Sequence, residues 1–178
     1  VRTETLRSQE HLVVPAVLLV EGVIQGMLAD TPELALAGEF GANPATWNGR
    51  PVSVMHPQRN EEPVAAGSPD IWESVIVGFL FNSRLNGTSL ESELWLNKTW
   101  CEDSGFSNIL QVLEDGGEME VSTGLFSQVV DVVGVWNGKK YKGIWTNCVP
   151  DHLALLPNAV GACSIEMGCG TNRNNSAR

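Results

Sequence analysis

Val75-Ile76-Val77-Gly78-Phe79-Leu80-Phe81-Asn82-Ser83-Arg84-Leu85-Asn86-Gly87-Thr88-Ser89-Leu90-Glu91-Ser92-Glu93-Leu94-Trp95-Leu96 sets two apolar runs on either side of Asn86-Gly87. Asn-Gly favours the positive φ angles of a two-residue β-turn, and aromatic and β-branched residues suit a pleated, half-buried surface, so the stretch reads as a hairpin. The pattern recurs downstream. Strand-like residues run from Met119 through Val129, Val130, Val132 and Val133 to Asn137-Gly138, and Tyr141 to Cys148 returns as the partner. Leu153 to Leu156 reads as one more, buried strand.

Residues 11–25 carry Val13, Val14, Val17, Val20, Val23 and Ile24, a long bent strand with Gly22 as a bulge. Thr31 as a cap and Pro32 at the first helical position predict a short helix from Thr31 to Phe40. Phe106, Ile109, Leu110 and Leu113 recur at helical spacing, with Asp103 or Ser104 as cap and Asp115-Gly116-Gly117 as stop. Many strands and few helices predict a β-rich α+β fold, a sheet or barrel with one or two packed helices. The 178 residues fit one domain, residues 1–165, and the Gly-, Asn- and Ser-rich end from 166 to 178 reads as a flexible tail or linker.

The net charge of −10 argues against a surface that neutralises phosphates, so no nucleic-acid partner is expected. The longest apolar run, Leu12 to Val20, is interrupted by Pro15 and falls short of the roughly 20 residues that cross a bilayer, so no membrane partner is expected. Cys101, Cys148, Cys163 and Cys169 match neither a zinc framework nor a dense disulfide scaffold and read as free thiols of a reducing compartment. Glu61-Glu62 and Glu102-Asp103 lack calcium-loop spacing, and no cofactor or metal is expected. The six tryptophans are dispersed and read as packing residues.

Chemistry concentrates on one serine and two histidines. In Glu120-Val121-Ser122-Thr123-Gly124 strand alternation puts Glu120, Ser122 and Gly124 on one face. His56 follows Val52 and Val54 in the same alternation, at the end of a strand closed by Pro57. His152 shares a face with Ala154 and Leu156, and small Ala154 leaves room beside its ring. A serine hydroxyl is a weak nucleophile until a base takes its proton, and that base needs its other nitrogen held in one tautomer. His11, near the start of the chain, reads as a surface or edge residue without a role.

The order of motifs resembles the prohead (capsid maturation) proteases of tailed phages, which share a fold with the herpesvirus assembly protease. The resemblance rests on His11-Leu12-Val13-Val14-Pro15 with Glu21-Gly22-Val23, Trp47-Asn48-Gly49-Arg50-Pro51-Val52 leading to His56, Val77-Gly78-Phe79-Leu80, the Ser122 strand, and Pro150-Asp151-His152-Leu153-Ala154-Leu155-Leu156-Pro157. It implies a herpesvirus-protease-like fold and a serine endopeptidase with Ser122 as nucleophile, His56 as base and His152 as third member. Asp151 or Glu120 replaces His152 if the register differs by one residue. Implied substrates are scaffold and major capsid precursors, cut inside the assembling prohead in the host cytoplasm, with self-cleavage near the termini and a homodimer as an option. Two rivals stand beside it: an inactive structural or scaffolding protein of the same assembly, and a cysteine hydrolase using Cys148 or Cys163 with His152.

Overall fold

The computed structural model describes residues 1–173. Strand β1 (Arg2–Leu6) turns back through Arg7 and Ser8 onto β2 (Gln9–Val20), and β3 (Gly22–Ile24) follows after a break at Glu21. The long bent strand is therefore two strands, and the bulge in its first part lies between Val17 and Leu19, where its pairing slips, rather than at Gly22. β1 covers the edge of β2 opposite His11, so that imidazole is 4 % exposed and bonds the Gln9 carbonyl through Nδ1, not the surface position expected for it.

The helix expected over Thr31–Phe40 is divided between β4 (Glu33–Ala35) and a single turn, α1 (Ala37–Phe40). Tertiary pairing overrides local propensity there, because Leu34 N–H donates to the Gly143 carbonyl while β3 pairs with β4 along its other edge. A 3-10 turn at Pro44–Trp47 leads to β5 (Pro51–Val54), and the small hairpin β6 (Gln58–Arg59) and β7 (Glu62–Pro63) precedes α2 (Pro69–Val75).

The hairpin expected around Asn86-Gly87 is β8 (Ile76–Asn86) and β9 (Ser89–Asn97). Its turn is shifted by one residue: Asn86 pairs with Ser89, so Gly87 and Thr88 are the central residues, and Gly87 takes the positive φ of +59°. Gly78 serves a different purpose. A Cβ there would lie 2.1 Å from the Trp95 carbonyl oxygen, so only glycine lets β8 and β9 approach.

Helix α3 (Lys98–Asp103) was not foreseen; Asn97 caps it by accepting from the Trp100 N–H. Glu102 and Asp103 therefore end a helix, and α4 (Ser107–Glu114) starts at Phe106 without a side-chain cap. Its buried Ile109, Leu110 and Leu113 are the stripe that the spacing indicated.

Strand β10 (Glu120–Val130) is followed by the minor hairpin β11 (Gly134–Trp136) and β12 (Lys139–Tyr141), in which Asn137 and Gly138 both take positive φ. The two later strands expected from sequence are one, β13 (Ile144–Leu156), continuous through Pro150. A 3-10 turn at Ile165–Met167 leads to β14 (Gly170–Thr171), which pairs with β2. The described part of the expected tail is thus docked, and Arg173 binds Glu118 and the Ile165 carbonyl. Residues 174–178 of that tail lie outside the described residues.

Ten strands form one open mixed sheet in the order β1-β2-β9-β8-β5-β13-β4-β3, with β10 on β13 and β14 on β2. The fold is β-rich α+β without a closed barrel, and four short helices, rather than one or two, pack on it among the described residues. The core joins Leu12, Val14, Leu80, Leu94, Val121 and Leu153, all essentially buried. Among the described residues no helix is long and apolar enough to cross a membrane.

Cys163 and Cys169 form a disulfide, which corrects the free-thiol expectation for two of the four cysteines; Cys101 and Cys148 remain free. The 3-10 turn between them, ended by Gly168 at φ +107°, reverses the chain and brings their Cα atoms to 5.7 Å. Closing so short a loop restricts the unfolded chain by about 2 kcal/mol in the chain-entropy picture. A Cys163→Ser, Cys169→Ser double variant is expected to lose about that much stability in urea unfolding, read as a lower midpoint at unchanged slope.

Candidate active site

Strand β5 lies parallel to the end of β13, with Val52, Ser53 and Val54 beside Leu153, Ala154 and Leu155, while Ser122 of β10 pairs with Ala154 from the other side. Three strands therefore converge on the residues flagged from sequence. His56 does not continue the alternation of β5. The strand ends at Val54, and Met55 takes φ +60°, held by its N–H to the Leu155 carbonyl and by Ser53 Oγ donating to its carbonyl. This kink, rather than the pleat, aims His56.

His56 Nδ1 lies 2.8 Å from His152 Nε2, and His152 Nδ1 lies 2.7 Å from Asp151 Oδ2. The carboxylate can only accept, so His152 Nδ1 carries its proton and its Nε2 offers a lone pair. His56 Nδ1 must then donate, which leaves the lone pair on His56 Nε2. One carboxylate thus sets the tautomers of two rings in series. Asp151 Oδ2 also accepts from the Ala66 N–H at 2.9 Å, which ties the segment after β7 to the pair.

Asp151 and His152 are neighbours on one strand, and a regular pleat would point them to opposite faces. They meet because Gly124 pairs with His152 and Leu125 with Pro150, leaving Asp151 as the extra residue of a β-bulge. Asp151 is an alternative to His152 in the sequence; in the structure it stands behind His152. Glu120, the other alternative, is not near the imidazoles' hydrogen bonds. Its carboxylate accepts from Gly161 N–H and Ile165 N–H and anchors the disulfide loop.

Gly124 shares the Ser122 face in the sequence, but its role against His152 is visible only in the structure. A Cβ on it would stand 2.0 Å from His152 Cε1, so the ring lies flat against the β10 backbone. The signal was the glycine itself, since glycine inside a strand often marks a close approach.

Burial holds the two imidazoles neutral. Desolvation, and then the neighbouring His152, pushes His56 down from 6.5 to about 4. His152 is also lowered by burial, with Asp151 opposing the shift. At neutral pH the Asp151–His152 contact is therefore a carboxylate accepting from a neutral ring, not an ion pair. A base that must be neutral to act then places the acid limb of any hydrolytic pH profile near pH 4 instead of 6.5. The same shift makes stability acid-sensitive, because the unfolded chain binds protons that the folded His56 refuses between pH 6.5 and about 4. Stability is complete above pH 6.5 and falls as pH drops through that window. Thermal melting at stepped pH, with His56→Phe as the reference, checks it; a flat difference across the window would count against the shift.

Ser122, His56 and His152 line one cleft of about 480 Å³, together with Asp151 and Gly124. Among the described residues the Ser122 hydroxyl has no hydrogen-bond partner, so it shares the cleft with His56 without a bond to it. The thiol alternative loses its basis: Cys163 is in the disulfide, and burial followed by Glu39 pushes Cys148 up to about 11. Among the described residues no group of three or more His, Cys, Asp and Glu side chains is placed to hold a metal ion. No family model, curated protein or solved structure matches the chain.

Proposed function

We propose that the chain is a serine endopeptidase in which Ser122 is the nucleophile, His56 the base, and His152 the third member, with Asp151 orienting His152. The observation that carries the reading is the polarised line Asp151–His152–His56, which leaves an imidazole lone pair in the cleft that Ser122 lines. In the reaction Ser122 Oγ attacks the scissile carbonyl carbon and its proton passes to His56 Nε2. The imidazolium so formed keeps its Nδ1–H on His152 Nε2, whose basicity Asp151 raises through the far side of the ring. His56 then returns a proton to the leaving amine, and water releases the acyl group by the same route in reverse. A Ser–His contact of this kind commonly tightens only when substrate binds.

From the resemblance of its motifs, the substrates in this reading are scaffold and major capsid precursors within the assembling phage head, and the fold is the herpesvirus-protease-like form of the β-rich sheet. The same resemblance carries self-cleavage near the termini and a homodimer. The unbonded Ser122 hydroxyl is the observation that favours the rival reading, an inactive structural protein of that assembly. A fluorophosphonate separates them. Wild-type protein is expected to gain one adduct on Ser122, found by peptide mass mapping, and Ser122→Ala none. A folded wild-type protein that stays unlabelled, and that processes co-expressed capsid and scaffold no better than Ser122→Ala, would sink the endopeptidase reading.

A further inference from the structure

The cleft does not end at Ser122. It follows β10 as far as Val129 and Trp145, which pair across the β10–β13 ladder, and its lining takes in the loop carrying Met27 and Leu28, which runs into Glu33, the hydrogen-bond partner of Trp145. Met27 is 64 % exposed and Leu28 80 %, a large apolar surface for a loop between two short strands. From Ser122 to Val129 is seven residues, about 23 Å of strand.

Strand β10 is laddered to β13 on one edge only among the described residues. Its other edge, beyond the start covered by the disulfide loop, offers main-chain donors and acceptors to an added strand. The charges along the cleft agree with a polypeptide that is not acidic. Among the described lining residues the carboxylates are Glu33 and Asp151, and none is Lys or Arg. Glu33 accepts from the Trp145 indole N–H, so that carboxylate is already engaged within the lining.

Resting on the endopeptidase reading, we propose that the far end of this cleft is a remote recognition subsite. It takes one bulky aliphatic or aromatic side chain of an extended substrate, about six or seven residues from the cleaved bond. Met27 and Leu28 close over that side chain, while the intervening backbone adds to the free edge of β10. Both walls matter: the strand sets the spacing and the loop supplies the apolar contact.

Cleavage of a proteome-derived peptide mixture, in peptides long enough to span the cleft, tests it by sequencing the products of wild-type, M27S/L28S and Ser122→Ala proteins. Wild type is expected to enrich Leu, Ile, Met, Phe or Trp about tenfold or more at one position six or seven residues from the cut, the size that burying one such side chain gives. M27S/L28S is expected to lose that enrichment while still cutting, since both residues are exposed and the fold does not depend on them. Ser122-dependent cleavage with no preference at that distance, or a preference unchanged in M27S/L28S, overturns the subsite and leaves the endopeptidase reading standing. Absence of any Ser122-dependent cleavage overturns the endopeptidase reading and the subsite with it.

Discussion

On the endopeptidase reading, Gly124→Ala is expected to abolish peptide hydrolysis, with kcat/KM falling on the order of 10³–10⁴-fold while the sheet stays folded. The added methyl would lie 2.0 Å from His152 Cε1 and 2.3 Å from its Nδ1, closer than any real contact. Strand β10 cannot retreat, because it is laddered to β13 along its length and Val121 is buried in the core. The ring must leave, and both of its hydrogen bonds leave with it. His56 then loses the acceptor that sets its tautomer. Loss of buried hydrogen bonds costs stability on the order of 1–3 kcal/mol, so the variant should still fold at room temperature. Circular dichroism and a progress curve on the same sample decide the matter, and a folded variant that keeps wild-type rate would show that His152 is dispensable.

On the endopeptidase reading, Asp151→Leu is expected to be nearly as damaging, on the order of 10³–10⁴-fold in kcat, and Asp151→Asn milder. The Ala66 N–H and His152 Nδ1–H are accepted by the same atom, Asp151 Oδ2. An amide oxygen at that position accepts both bonds and keeps both rings protonated on Nδ1, so asparagine removes the charge and leaves the tautomers. Leucine removes the acceptor, and His152 is then held to neither tautomer. Imidazole ¹⁵N shifts give the readout. Wild type and Asp151→Asn should show protonated Nδ1 on both rings, and Asp151→Leu a mixture. A single Nδ1-protonated form in Asp151→Leu would refute the role given to Asp151.

These two residues also show how far the sequence alone could reach. Strand alternation put Ser122 and Gly124 on one face and the hairpin signal at Asn86-Gly87 located β8 and β9 to within a residue, because turn chemistry and apolar period are local. His56 was found for the wrong geometric reason: alternation extended β5 through Met55, whose positive φ depends on a carbonyl of β13 a hundred residues away. Asp151 was read as a substitute for His152 because a regular pleat separates neighbours, and only the pairing register reveals the bulge. Likewise β1 and β14 carry weak local signals and exist because β2 offers them an edge. Cys163 and Cys169 lacked a recognisable spacing, since their approach depends on a left-handed glycine between them.

Strand β13 has a consequence for timing. It sits in the middle of the sheet, pairing with β4, β5 and β10, yet it enters late in the chain, and the two imidazoles it helps join are 96 residues apart. Contacts between distant segments form slowly, since the loop between them must first be closed. A ribosome-bound chain that stops short of Ile144 possesses Ser122 and His56 but neither His152 nor the seam that holds their strands together. On the endopeptidase reading, hydrolytic competence would thus switch on only after β13 has been made and threaded into place, which would shield nascent neighbours from a half-built site.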